Sequence, residues 1–226
     1  MVLPRVYPIV ASAEWVRRLL PQGVRLVQLR VKDQPAEAVR AEIRDARRLC
    51  ARAGAQLIVN DYWQLALDED CDFVHLGQGD LEGADIASLR RAGVRIGVST
   101  HDPAELERAL AVAADYVALG PVYPSLLKVM PWAPQGLERL AEWKRRVGRI
   151  ALVAIGGLTV ERLPGVFAAG ADVAAVVTDI VRNPHPEARA RQWLEAAAAV
   201  ATPSVEGAAA AVAPAAQRRA HSEEGP

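Results

Sequence analysis

Residues 150–157 read IALVAIGG, an apolar run of strand length that ends in two glycines. A similar run, DVAAVVT, follows at residues 172–178, and the same alternation extends back to the N-terminus. Short apolar runs bounded by polar residues or glycine are typical of parallel strands buried on both faces. The pattern predicts eight strands, at residues 6–12, 24–30, 56–61, 73–78, 95–100, 116–122, 150–157 and 172–178.

Helix-forming stretches separate these runs. The stretch at 103–113 is preceded by Asp102, a favourable helix cap, and begins with Pro103, which suits a first helical turn. The other predicted helices cover residues 13–20, 35–53, 62–69, 84–92, 137–147, 160–169 and 186–200. Eight strands, each followed by a helix, favour an α/β fold of the closed (β/α)₈, or TIM, barrel type. The alternative is an open doubly wound sheet, but no glycine-rich fingerprint follows the first strand.

The chain of 226 residues is 51% hydrophobic, which is enough for one sizeable core. Residues 202–226 contain no Leu, Ile, Met or aromatic residue. Such a segment cannot bury enough apolar surface to offset the entropy lost on ordering. We therefore expect a single barrel domain over residues 1–201 and a disordered tail over residues 202–226.

Charge and apolar patterning exclude several classes of protein. The 27 basic and 27 acidic residues balance, whereas a nucleic-acid-binding protein usually shows a basic excess. We expect no membrane span, because no uninterrupted apolar stretch approaches about 20 residues. Cys50 and Cys71 have no metal-ligand spacing, which indicates structural thiols and a cytoplasmic protein. The oligomeric state stays open.

Barrel active sites lie at the carboxyl ends of the strands, so the residues there are the candidates for chemistry. The second strand ends in QLRVK (28–32), and strand alternation directs Gln28, Arg30 and Lys32 to one side. Two cations and an amide would suit an anionic ligand with several oxygen atoms. A solvent-exposed basic loop is the alternative.

Two carboxylates follow neighbouring strands. Asp61 ends the third predicted strand, and Asp80 follows the fourth. Together they could share one Mg²⁺ ion, which prefers oxygen ligands and usually keeps waters and ligand phosphates. The alternative is helix capping, a frequent role of Asp after a strand.

Histidines and a long loop add further candidates. His75 lies inside the fourth strand and is expected to pack in the barrel, whereas Ser99 at the end of the fifth strand could donate a hydrogen bond into the site. His101 at the rim is ambiguous. The loop after the sixth strand is long, which is typical of functional lids, and it carries Lys128.

The loops after strands seven and eight are the recurrent phosphate site of this fold. Gly156 and Gly157 end the seventh strand, and Val177 and Thr178 end the eighth. Glycine allows backbone N–H groups to approach an anion closely. A tight turn that merely needs glycine is the alternative.

In order along the chain, these strand ends resemble the thiamine phosphate synthase family. The motifs are QLRVK (28–32), ND (60–61), HLGQGDL (75–81), GVSTH (97–101), GPVYPSLLK (120–128), PQG (134–136), VAIGG (153–157) and VVTDI (176–180). The resemblance implies a (β/α)₈ barrel and a transferase of thiamine biosynthesis. That enzyme joins hydroxymethylpyrimidine diphosphate to hydroxyethylthiazole phosphate, or to its carboxylated form, and releases pyrophosphate in a Mg²⁺-assisted dissociative reaction.

The resemblance also implies roles for individual residues. The pyrimidine diphosphate would be held by Gln28, Leu29, Arg30, Val31, Lys32, Asn60, Ser99 and Lys128, of which Arg30, Lys32, Ser99 and Lys128 would be catalytic. The Mg²⁺ ligands would be Asp61 and Asp80, and the thiazole phosphate would contact Ser125, Leu126, Leu127, Gly157, Val177 and Thr178. The family commonly has Thr-x-Thr-Lys where this chain has Ser125–Leu126–Leu127–Lys128, so Leu127 offers no side-chain hydrogen bond.

Three alternatives remain at this point. A sister branch of the family tautomerises the carboxylated thiazole phosphate with a histidine, and His101 could take that part. A non-catalytic metabolite-binding regulator on the same barrel is the second. The third is a Schiff-base aldolase that acts through Lys128, although that lysine lies in a loop and not inside a strand.

Overall fold

The computed structural model describes residues 2–124 and 132–200, and these form a closed barrel of eight parallel strands with helices around it. The strands are β1 (Val6–Val10), β2 (Leu26–Leu29), β3 (Gln56–Asn60), β4 (Phe73–Leu76), β5 (Arg95–Thr100), β6 (Tyr116–Leu119), β7 (Ala151–Ala154) and β8 (Val173–Val176). Each strand pairs with the next along the chain, and β8 pairs with β1. The TIM-barrel prediction is confirmed, and the open sheet is excluded.

The helices fill the intervals between the strands. They are α1 (Ala13–Leu19), α2 (Ala36–Ala53), α3 (Trp63–Asp68), α4 (Gln78–Gly83), α5 (Ile86–Arg91), α6 (Pro103–Ala111), α7 (Gly136–Val147), α8 (Leu163–Ala168), α9 (Thr178–Val181) and α10 (Pro186–Ala199). Asp102 caps α6 as predicted, because its Oδ1 accepts a hydrogen bond from the Glu105 N–H at 2.9 Å. Each of the eight predicted helical stretches contains a helix.

Two short helices were not predicted, because the predicted strands ran too far. The fourth strand ends at Leu76 and not at Gln78, and the eighth ends at Val176 and not at Thr178. At the rim the chain leaves the sheet and turns at once into α4 and α9. The Leu81 N–H closes the first turn of α4 on the Gly77 carbonyl at 2.9 Å.

Strand alternation divides the apolar residues into two layers. Inward-facing side chains fill the barrel interior, among them Tyr7, Ile9, Leu26, Ile58, Phe73, Tyr116, Val153 and Val173. Outward-facing residues such as Val27, Val59 and Val117 pack beneath the helices. The interior is therefore a packed core, and the space for a ligand lies above it at the carboxyl ends of the strands.

The two cysteines lie in the outer layer and are both free and buried. Burial raises the pKa of the Cys50 and Cys71 thiols to about 12, which makes them inert and agrees with a structural role. Within residues 2–124 and 132–200, no helix is long and apolar enough to cross a bilayer. Ser125, Leu126, Leu127, Lys128 and the predicted tail at 202–226 lie outside the described residues.

Candidate active site

A cavity of about 840 Å³ opens at the carboxyl end of the barrel. This volume lies within the usual range for small-molecule sites. Of the predicted site residues, the cavity wall includes Gln28, Arg30, Asn60, Ser99, Gly157, Val177 and Thr178. These residues come from five different strand ends and strand-following loops, so the fold brings together side chains that are far apart in the sequence.

Lys32, Asp61 and Asp80 form a charged cluster, which we call the rim cluster. Lys32 Nζ forms an ion pair with Asp61 Oδ2, and the Asp61 carboxylate in turn contacts that of Asp80. Asp61 directly follows β3 and has a left-handed backbone with φ of 64°. Non-glycine residues seldom adopt this conformation, and where they do it is often at functional sites. The predicted proximity of the two carboxylates is present in the structure.

Burial, followed by the negative charge of Asp61, raises the pKa of the Asp80 carboxyl above its usual range. Two carboxylates in contact repel each other, and the Lys32 ammonium beside Asp61 offsets part of this repulsion. Within the described ranges, no group of three or more His, Cys, Asp or Glu side chains could hold a metal ion. The chemistry of a carboxylate pair fits Mg²⁺, because this ion prefers oxygen ligands, retains waters and binds substrate phosphates.

Helix capping accounts for only part of this arrangement. The Asp80 carboxylate accepts a hydrogen bond from the Gly77 N–H at the start of α4, a bond that lowers the pKa of Asp80. Neither aspartate occupies the cap position itself, which belongs to Tyr62 for α3 and to Gly77 for α4. Capping therefore explains the contact of Asp80 with Gly77, but it does not explain the contact between Asp61 and Asp80.

A chain of buried polar side chains crosses the top of the barrel interior. Gln28 Nε2 donates to the Tyr7 hydroxyl at 2.8 Å, and the Tyr7 and Tyr116 hydroxyl oxygens lie 3.0 Å apart. The Tyr116 hydroxyl lies 2.7 Å from His75 Nδ1, and His75 Nε2 lies 2.8 Å from Ser99 Oγ. Burial lowers the pKa of His75 to about 4, so the imidazole is neutral at pH 7. We call these five residues the polar chain.

The sequence pattern predicts that His75 packs in the barrel core, but it reveals neither the link of His75 to Ser99 nor the place of the two tyrosines in the polar chain. Tyr7 lies in VYPIV and Tyr116 in YVAL, where each looks like one more apolar strand residue. Their inward direction was available from alternation along the strand. Their contact across the barrel was not, since β1 and β6 are not neighbours.

Leu29 and Val31, also assigned to the diphosphate site, have side chains in the outer apolar layer. Only 2% of Leu29 and 5% of Val31 is exposed. Because these side chains point towards the helices, any contact of either residue with a substrate would have to be made by its backbone.

The loops after β6 and β7 pack tightly against each other at the opposite side of the cavity. The Tyr123 N–H donates to the Gly156 carbonyl at 3.0 Å. A Cβ atom on Gly157 would lie 2.5 Å from the Pro124 carbonyl oxygen, and Gly157 has φ of 65°. Loop packing therefore suffices to require this glycine, and the phosphate-binding role stays a prediction.

The family model for thiamine monophosphate synthase matches residues 6–180 of this chain. The chain belongs to this family. A thiamine-phosphate synthase of Rhizobium etli is 66% identical over 198 residues, which cover 88% of this chain and 97% of the relative. The enzyme of that name from Cronobacter sakazakii is 48% identical over 192 residues, covering 85% and 91%. A solved thiamine phosphate pyrophosphorylase from Pyrococcus furiosus superimposes with a TM-score of 0.78 at 26% identity, covering 87% of this chain and 96% of that one.

Family membership leaves the role of His101 to the geometry. His101 Nδ1 lies 2.7 Å from Glu105 Oε2, and the imidazole stacks on the Trp132 indole with ring centroids 3.7 Å apart. Trp132 is the first described residue after the loop that carries Lys128. These contacts give His101 a structural partner on each side, although the ring also borders the cavity.

Proposed function

We propose that this chain is a thiamine phosphate synthase. It joins hydroxymethylpyrimidine diphosphate to hydroxyethylthiazole phosphate and releases pyrophosphate. The observation that carries the proposal is the rim cluster of Lys32, Asp61 and Asp80 beside a cavity walled by Gln28 and Ser99. Relatives of that name that align over nearly their whole length support it.

The rim cluster supports binding of the diphosphate at this side of the cavity. Asp61 and Asp80 are the residues that would hold Mg²⁺, and when bound the ion would neutralise charge on the departing pyrophosphate. Arg30 borders the cavity and Lys32 lies against Asp61, so both cations can stabilise the same charge. Lys128, which the family pattern assigns to this group, lies outside the described residues.

The thiazole phosphate would lie at the loops after β7 and β8. The cavity wall there includes Gly157, Val177 and Thr178, whose backbone N–H groups can bind a phosphate. This mode of binding needs no side-chain hydroxyl at position 127, where the chain has leucine. Holding both substrates in one cavity directs the thiazole nitrogen at the methylene carbon of the pyrimidine. Such positioning accounts for a large part of the rate in reactions between two bound molecules.

The chemistry requires no protein nucleophile. The bond between the pyrimidine methylene carbon and the diphosphate oxygen breaks, and both electrons leave with the pyrophosphate. The thiazole nitrogen then donates its lone pair to the methylene carbocation. Ile9, Ala118, Ile155 and Ala175 give the cavity an apolar wall, which limits the access of water to that cation.

The test is product formation by the purified chain with both substrates and Mg²⁺. We expect thiamine phosphate and pyrophosphate in equal amounts, and no thiamine phosphate when either substrate is omitted. Arg30→Ala should lower kcat/KM by about 100-fold, the effect of removing one preorganised charge-stabilising group. The matched control is Arg91→Ala, since Arg91 donates to Ser88 on α5 and lies outside the cavity wall. Binding of both substrates without any thiamine phosphate would refute the proposal.

A further inference from the structure

The polar chain has a direction that its contacts determine. The Gln28 amide nitrogen can only donate, so the Tyr7 hydroxyl oxygen accepts from it and has its own proton to donate. The nearest acceptor in the polar chain is the Tyr116 oxygen at 3.0 Å. Tyr116 therefore accepts from Tyr7, and its own proton is left for His75 Nδ1 at 2.7 Å.

This sequence of donors determines the tautomer of His75. If Nδ1 accepts from Tyr116, a neutral imidazole carries its proton on Nε2. The Nε2–H then donates to Ser99 Oγ at 2.8 Å. Since the Ser99 oxygen accepts this bond, the Ser99 hydroxyl proton is free to be donated to another group. Ser99 borders the cavity, where a bound ligand can supply the acceptor.

The surroundings disfavour a reversal of the direction of donation along the polar chain. Tyr7 and Tyr116 are 1% and 0% exposed, so no solvent can replace a missing partner. The Tyr116 ring stacks on the His75 ring with an angle of 10° between planes, which limits rotation of both. Satisfying every buried hydroxyl in one direction is strongly favoured, since an unpaired buried group costs about 1–3 kcal/mol.

We propose that Tyr116, aided by Tyr7, is a positioning residue that sets His75 in the Nε2–H tautomer and thereby makes the Ser99 hydroxyl a hydrogen-bond donor to the first substrate. The second half of this statement rests on the proposed function, because it takes the cavity ligand to be the pyrimidine diphosphate. The acceptor is a ring nitrogen or a phosphate oxygen of that molecule. The first half concerns the protein alone.

The tautomer is measured without substrate, by ¹⁵N NMR of the histidine ring nitrogens of the full chain at pH 7. The chain has four histidines, so single substitutions at His101, His185 and His221 assign the remaining signals to His75. We expect one protonated nitrogen, Nε2. In Tyr116→Phe the donor to Nδ1 is absent, and we expect a mixture of tautomers. An imidazolium or an Nδ1–H tautomer in the unsubstituted protein would overturn the assignment.

Tyr7→Phe is the matched control, because it removes an equally buried hydroxyl from the same polar chain but leaves the Tyr116–His75 contact. We expect its His75 signals to lie between those of the unsubstituted protein and those of Tyr116→Phe. A purely structural effect of deleting a buried hydroxyl would affect His75 equally in the two variants, and that result would contradict the proposal.

Kinetics test the second half by a double-mutant cycle. Tyr116→Phe should lower kcat/KM for the pyrimidine diphosphate by about 10-fold, since it acts through Ser99. In the Ser99→Ala background the same substitution should cost less than about 2-fold, because residues that act through one contact are not additive. An equal loss in both backgrounds would overturn the positioning role. Absence of turnover in the unsubstituted protein would instead refute the proposed function, and the NMR result would still decide the tautomer.

Discussion

Gly97 is the residue at which a single added methyl group should disturb both the fold and the site. It lies in β5 directly opposite Tyr116 in β6. A Cβ atom built on Gly97 would lie 2.6 Å from the Tyr116 hydroxyl oxygen and closer still to the ring carbons Cε1 and Cζ. Carbon atoms in contact are normally about 3.5–4.0 Å apart. In Gly97→Ala the tyrosine ring or the strand must therefore move by more than an ångström.

The neighbouring rings leave no space for a displaced Tyr116 ring. It stacks on His75 with centroids 5.6 Å apart and meets Tyr7 and Phe73 edge to face at 6.1 and 5.6 Å. Overpacking of this kind costs about 1–3 kcal/mol. A displaced ring would also lose its contacts to Tyr7 and His75, at about 1–3 kcal/mol for each buried group left unpaired. We expect Gly97→Ala to lower the free energy of unfolding by about 3–5 kcal/mol, or the melting temperature by roughly 10 °C at this size.

Chemical and thermal unfolding measure this directly. The control is Gly83→Ala, because Gly83 has no atom within 4 Å of an added Cβ and no positive φ. Gly83→Ala should be neutral or slightly stabilising, as alanine favours helix more than glycine does. Adding Tyr116→Phe to Gly97→Ala should not restore stability, since phenylalanine keeps the two clashing ring carbons. A loss below about 1 kcal/mol in Gly97→Ala would refute the packing of this layer.

Three further predictions concern the site and the C-terminal segment. Activity should require Mg²⁺ or a similar divalent ion, and full activity in excess chelator would rule out the metal role. Asp61→Ala or Asp80→Ala should lower turnover about 100-fold, while the circular dichroism spectrum shows an intact fold. Lys128→Ala should slow single-turnover product formation about 100-fold. Lys128→Arg should recover part of the rate, because a cation remains. A Lys128→Arg variant as inactive as Lys128→Ala would contradict charge stabilisation. Removing residues 202–226 should shift the melting temperature by less than about 4 °C, since the segment lacks large apolar residues; a larger drop would mean that it docks on the barrel.

The barrel itself could be predicted because its strands are buried on both faces. Each strand, such as LVQL of β2 or ALVA of β7, is a short apolar run between polar stretches, the form typical of parallel strands buried on both faces. The helix α4 could not be predicted in this way. Its sequence QGDLEG contains two glycines, and the helix is held by burial of Leu81 and by its contacts with β4 and β5. Tertiary contacts here override a poor intrinsic helix propensity.

The candidate site could be predicted only where its chemistry lies at the strand ends. Asp61 and Asp80 follow neighbouring strands, so the fold class alone placed them close together. The polar chain is different, because it joins Tyr7 of β1 to Tyr116 of β6 through the interior. Which inward residues meet there depends on the stagger of eight strands around the closed barrel, and that quantity is absent from a one-dimensional pattern.

The segment QLRVK shows why a motif that is continuous in the sequence need not be continuous in the site. Strand alternation sends Gln28 and Arg30 to the cavity, whereas Leu29 and Val31 lie in the outer layer beneath the helices. A substitution at Leu29 should therefore act through stability and one at Gln28 through the site, although the two residues are adjacent. Gln28 combines two kinds of contact. It borders the cavity, and it also donates to Tyr7, in the first of the four hydrogen bonds that lead from Gln28 through Tyr7, Tyr116 and His75 to Ser99.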